Sequence, residues 1–301
     1  MAAYNAEDAS PTLFFSSIAP LPEYPGRVVQ QEWLRDIAAR DRRGHVALCC
    51  HDLDAAERHF SEALHLRQQA GASAHPGLPQ AFGRLGIVAL RRGDPMRAEA
   101  MFDLGLEIAR ALRSHLTPQD AMLLQNLGVA ARRLGHLDEA EGHHAGALAI
   151  KVQALGWAHP SVAITLGSLG VLFLLQHRPT EALRHFERAL KIALRVSGDR
   201  STGVARWQLG RGCAHLQRGD HEQAERCFSA AIAVYELLPG ARTPLASTRM
   251  HLADARWRRA PAEARHLAEA ALSDYRASAH PDRRQLRRMQ TWLEGHVEHA
   301  A

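Results

Sequence analysis

A glycine recurs every 42 residues along the middle of this chain, at Gly44, Gly86, Gly128, Gly170 and Gly212. Each is followed twelve residues later by an alanine (Ala56, Ala98, Ala140, Ala182, Ala224). Seven residues further on stands a second small residue, Ala63, Gly105, Ala147, Ala189 or Ala231, with an aliphatic neighbour. Five repeats in register exclude an ordinary single-core domain. Each unit buries its apolar face only against its neighbours, and the whole is an elongated array. Glycine inside a helix costs about 1 kcal/mol relative to alanine, so its recurrence needs a reason. Close approach of two helix backbones supplies one, with Phe60, Phe102, Phe186 and Phe228 filling the space beside it. The fold expected is all-α, an array of antiparallel helix hairpins.

The pattern divides the chain into three parts. Residues 1–27 carry Pro11, Pro20, Pro22 and Pro25 among Leu13, Phe14, Phe15 and Ile18, and read as an extended arm packed over the first repeat. Residues 28–272 form the array, five clear repeats and a degenerate sixth. Residues 273–301 close it with a helix rich in arginine (Arg283, Arg284, Arg287, Arg288). Pro76, Pro118 and Pro160 open the second, third and fourth units, a place where proline loses no intrahelical hydrogen bond. Gly93, Gly135 and Gly219 end first helices, and His51 and His177 take that place in the first and fourth repeats. Arg40 and Arg43 stand at positions that are apolar elsewhere and predict a distorted first helix. Gln208 and Arg211 do the same in the fifth repeat, where Trp207 and Leu209 would take over after a small rotation.

This combination resembles the tetratricopeptide repeat in its 42-residue form, as in kinesin light chains, over roughly residues 34–272. The resemblance rests on the pairs Leu85-Gly86, Leu127-Gly128 and Leu169-Gly170, the following alanines and the aromatic sixteen residues after each glycine. His144 replaces that aromatic in the third repeat, and Arg43 and Arg211 replace the leucine. The resemblance implies a right-handed superhelical α-solenoid whose first helices line a concave groove for peptides or protein segments, with no catalytic residue. Transferred to this chain, the groove positions are Ile87, Leu90 and Arg91; Gln125, Asn126, Val129, Arg132 and Arg133; Val171, Leu174 and Leu175; and Leu216 and Gln217. An apolar floor with arginines on one side suits a partner segment bearing hydrophobic and acidic residues. With helices about 10 Å apart, such a groove holds about a dozen residues of extended chain.

Other chemistries find little footing. The net charge is +5, but only two of the 37 basic residues are lysine, a usage that reads as the codon bias of a GC-rich bacterial genome. The arginines are spread along the chain without interleaved aromatics, which argues against nucleic acid. Met1 to Ser10 show no basic n-region or apolar h-region, and no stretch reaches the roughly 18 apolar residues of a membrane span, so a cytoplasmic protein is expected. Cys49, Cys50, Cys213 and Cys227 lack metal or disulfide spacing. The pairs Glu62 and His65, Glu141 and His144, and Glu263 and His266 have the spacing of di-iron bundles but fall at different repeat positions, so no metal or cofactor is expected. His144 is expected to be hydrogen-bonded within its hairpin. Self-association is left open. The main rival reading is a sensor that binds a small or peptidic signal in the same groove; an enzyme or metalloprotein built on the repeats is the lesser one.

Overall fold

The computed structural model describes residues 27–71, 75–278 and 283–296; residues 1–26 of the N-terminal arm lie outside them. Among the described residues the secondary structure is helical throughout, in two compact units, one ending at His115 and the other beginning at Leu116. Unit 1 contains the hairpins α1 (Arg27–Cys49) with α2 (Leu53–Gly71) and α3 (Leu78–Arg92) with α4 (Pro95–Leu112). Unit 2 contains α5 (Asp120–Leu134) with α6 (Leu137–Leu155), α7 (Pro160–Leu175) with α8 (Pro179–Ser197), α9 (Thr202–Arg218) with α10 (His221–Glu236), and α11 (Arg242–Arg256) with α12 (Pro261–Arg276). A last helix, α13 (Arg283–Gly295), packs on α12.

The recurring glycine is a slot for a ring. A Cβ on Gly86 would stand 2.5 Å from Phe102, and one on Gly170 would stand 2.7 Å from Phe186. No side chain fits there unless the ring moves, so the glycine's propensity cost is offset by burying a whole phenylalanine, worth about 1.5–3 kcal/mol. Phe60, Phe102, Phe186 and Phe228 are accordingly among the most buried side chains. The first helices of the second, third and fifth repeats end at Gly93, Gly135 and Gly219, all left-handed. His51 and His177 adopt the same conformation at φ 60° and 57°, so those two turns keep the shape that glycine gives the others.

Three sequence expectations are corrected here. Helix α1 runs unbroken past Arg40 and Arg43: Gly44 still meets Phe60, Arg43 is exposed, and Arg40 pairs with Glu62 across the hairpin at 3.2 Å. Helix α9 does not rotate either, since Gly212 still meets Phe228. Trp207 is buried against Gly167 of α7, while Gln208 accepts a hydrogen bond from Arg211 at 3.0 Å. Of the three spaced prolines, only Pro160 begins a helix; Pro76 and Pro118 precede α3 and α5 by a residue or more.

The sixth hairpin and its closing helix share a small core. Leu286 and Leu293 of α13 pack with buried Met289 against Ala246, Ala271, Leu272 and Tyr275. The arginines Arg283, Arg284, Arg287 and Arg288 occupy the exposed side, as suits an end that faces water.

Candidate functional site

In unit 2 the first helices form an inner rank. Helix α5 touches α7, α7 touches α9 and α9 touches α11, and no two second helices approach each other as closely. The stripe that these first helices turn away from their neighbours steps by three or four residues. On α7 it is Ile164, Ser168, Val171 and Leu175; on α5 it is Met122, Asn126, Val129 and Arg133; on α9 only Arg206 and Gln217 belong to it, because Gly210 faces Phe186 and Cys213 packs into a core with Leu216. Met122, Ile164, Val171 and Leu175 keep 54%, 44%, 40% and 47% of their surface in solvent, a high exposure for large apolar side chains. Cys213 offers no nucleophile here, because burial pushes its thiol up to about 12.

Six of the thirteen sequence-derived groove residues lie on these stripes. Arg133, Val171, Leu175 and Gln217 do, together with Asn126 and Val129, which are half-buried. Leu174 and Leu216 instead pack into the cores of their hairpins. Arg132 is half-buried too, its pKa lowered by desolvation and by neighbouring Arg133. In unit 1, Ile87 is half-buried beside Leu48, Phe60 and Val88, and Leu90 is buried with 7% of its surface exposed, so Leu90 is support and not surface. Arg91 is exposed but donates to the Leu48 carbonyl at 3.2 Å. Gln217 donates to the Leu174 carbonyl at 3.1 Å in the same way and contacts His177 at 3.0 Å. Both side chains reach back to the preceding repeat, and in both cases that repeat has histidine in place of the turn glycine. Sequence reasoning missed Met122 and Ser168, one helical turn before chosen positions, and Ile164 and Arg206, two or three turns before them.

Gln125 has a different occupation. It lies on α5 above Lys151 of α6, whose ammonium donates to Gln125 Oε1 and, at 2.9 Å, to Thr165 Oγ1 of α7. Thr165 Oγ1 also lies 2.8 Å from Gln125 Oε1. Lys151 exposes 3% of its surface and Thr165 none. Desolvation lowers the Lys151 pKa to about 8, with no carboxylate opposing it. The corresponding place in the first repeat is built from Arg67 and Asp41, joined by two hydrogen bonds, the shorter 2.5 Å, with Arg84 adding a third contact at 3.0 Å.

Family models of the tetratricopeptide repeat match residues 36–111, 119–195 and 162–237, and a second model of that repeat matches 84–151. The chain is a tetratricopeptide repeat protein. Solved structures share its fold at low identity. BtubC (BKLC) from P. vanneervenii is 19% identical, with a TM-score of 0.55 over 87% of this chain and 92% of its own. A putative kinesin light chain of Podosopora anserina with nearly identical TPR-like repeats is 20% identical, with a TM-score of 0.55 over 66% of this chain and 96% of its own. The apo form of RapI is 17% identical, with a TM-score of 0.60 over 86% and 85%. No curated protein sequence matches the chain. Among the described residues no helix is long and apolar enough to cross a membrane.

Within the tetratricopeptide repeats, His144 departs furthest from expectation. It fills the slot beside Gly128, where a Cβ would stand 2.6 Å from its ring, and it is fully buried. Neither ring nitrogen has a hydrogen-bond partner among the described residues, contrary to the expected interface hydrogen bond. Burial first, then the charges of Arg132, His143 and Lys151, lower its pKa to about 4, so the ring is neutral at pH 7. Its spacing partner Glu141 is taken by Arg178 at 2.9 Å.

Proposed function

We propose that this protein is an interaction module whose unit 2 holds an extended segment of a partner protein along the inner rank of first helices. The observation that carries the reading is the apolar stripe of exposed Met122, Ile164, Val171 and Leu175, with half-buried Val129 between them, on adjacent helices. Polar side chains stand along it: Asn126 and Arg133 on α5, Ser168 on α7 and Arg206 on α9. Such a surface favours a segment with apolar anchors spaced along it and acidic residues between them. Helix dipoles and backbone amides contribute little, because the stripe runs along helix flanks and not across their ends.

The test is to pan a random library of 12-residue peptides against the full chain and to measure the selected peptides on wild type and on Val171→Glu/Leu175→Glu. The reading expects apolar and acidic sequences to be enriched, with binding lost in the double variant while its helical circular dichroism and melting stay intact. Equal binding by both proteins would move the site off α7 and defeat the proposal.

A further inference from the structure

We infer that Lys151, Gln125 and Thr165 form a receptor for one carboxylate of that partner segment. The inference rests on the reading above and adds a specific subsite to it. Its basis is a comparison of equivalent positions. In each repeat, one position on the second helix, 23 residues after the glycine, corresponds with one on the first helix, three residues before it. The five pairs are Arg67 with Asp41, Ala109 with Gly83, Lys151 with Gln125, Ala193 with Gly167, and Tyr235 with Leu209. Where the second helix carries arginine, the first supplies a carboxylate, and the pair is hydrogen-bonded. In the third repeat the cation remains but the carboxylate has become an amide.

A buried ammonium without an anion is expensive. The groups facing Lys151 are neutral or cationic: Gln125 from α5, Thr165 from α7, and His144 on its own helix, with Arg132 of α5 beyond that ring. Gln125 Oε1 accepts from both Lys151 and Thr165, which is what one oxygen of a carboxylate would do. Gln125 is also the member of the trio that solvent reaches, and it lies on α5 between Met122 and Val129 of the exposed stripe. Rotation of its flexible side chain clears the space of one planar amide, which a carboxylate matches in shape and number of atoms. A tetrahedral phosphate dianion is bulkier and finds a single cation there, so a carboxylate is the fitting ligand.

The chain has only two lysines, Lys151 and exposed Lys191, so a protein labelled with 13Cε-lysine reports on the pocket with one internal control. The probe is acetate, titrated at constant ionic strength against acetamide. The Lys151 resonance is expected to move saturably with acetate, with a half-effect on the order of 10 mM, the affinity of one or two charge-assisted hydrogen bonds. Lys191 should drift only linearly, and acetamide should move neither. Gln125→Glu brings its own carboxylate and should abolish the saturable response; Thr165→Val, which removes one of the contacts, should weaken it several-fold. A Lys151 response no different from that of Lys191, or one that survives in Gln125→Glu, overturns the inference. Acetate binding needs no peptide, so a saturable response alongside a failed peptide selection would leave the pocket standing and remove the groove reading alone.

Discussion

In the fourth repeat the slot beside Gly170 holds Phe186, and the second-helix position 23 residues after the glycine is Ala193. In the third repeat the same two places hold His144 and Lys151. The fourth repeat is dry: Phe186 lies between Gly170 and Gly210, and Trp207 fills the space over Gly167. The third repeat buries an imidazole without partners and an ammonium without an anion, yet its second helix spans the same positions relative to the glycine as in the fourth repeat, and the glycine keeps the same close approach. Backbone geometry in these repeats is therefore set by the glycine slot and the turns, and the chemistry inside the slot is free to vary at a cost in stability. The third repeat is the place where packing has been compromised, and it adjoins the exposed apolar stripe.

The largest expected break in this comparison is Phe186→Ala, which should lose about 3–5 kcal/mol of unfolding free energy, as large-to-small changes in well-packed cores do. His144→Ala should lose about 2 kcal/mol less, because the truncation also removes two unsatisfied buried nitrogens. Urea melts of the two variants measure the difference, and equal losses would mean that the imidazole is not strained.

Next in size is an acid effect at His144 in the third repeat. The folded-state pKa of His144, about 4, lies below its unfolded value of 6.5, so the unfolded chain takes up a proton first. The stability from this site is complete above pH 6.5, falls as the pH drops, and is fully lost below pH 4. At pH 5 the loss is about 2 kcal/mol. Wild type and His144→Phe should thus diverge by that amount between pH 7 and pH 5, with the variant the more stable. At pH 7 itself His144→Phe should gain about 1–2 kcal/mol by matching the ring found in the other repeats. Thermal melts at both pH values check the pair of expectations. The smallest effect expected is that of Gln217→Ala, about 0.5 kcal/mol, from losing one exposed hydrogen bond to the Leu174 carbonyl.

The repeat framework was readable because its determinants are local and periodic: glycine at 42-residue spacing, alanine twelve residues on, glycine or histidine at the turn. The exposed stripe was read only in part. A shift of one residue rotates a helix position by 100°, which is why Val129, Arg133, Val171 and Leu175 lie on the stripe while Leu90, Leu174 and Leu216 turn inward. Arg40 and Arg211 misled because a long guanidinium can leave a core position and find a partner at its edge, as Arg40 does on Glu62. Lys151 went unnoticed. Its signal is a lysine standing where neighbouring repeats have Ala109 and Ala193.

The most direct test of the contrast between the two repeats is the pH titration of the Lys151 Cε resonance in the folded full chain. The account predicts a midpoint near 8, well below the 10.5 of a solvated lysine. In Gln125→Glu the midpoint should rise, because the new carboxylate favours the charged amine. A wild-type midpoint at 10.5 would show that the buried ammonium is already compensated, and the third repeat would then hold no uncompensated charge.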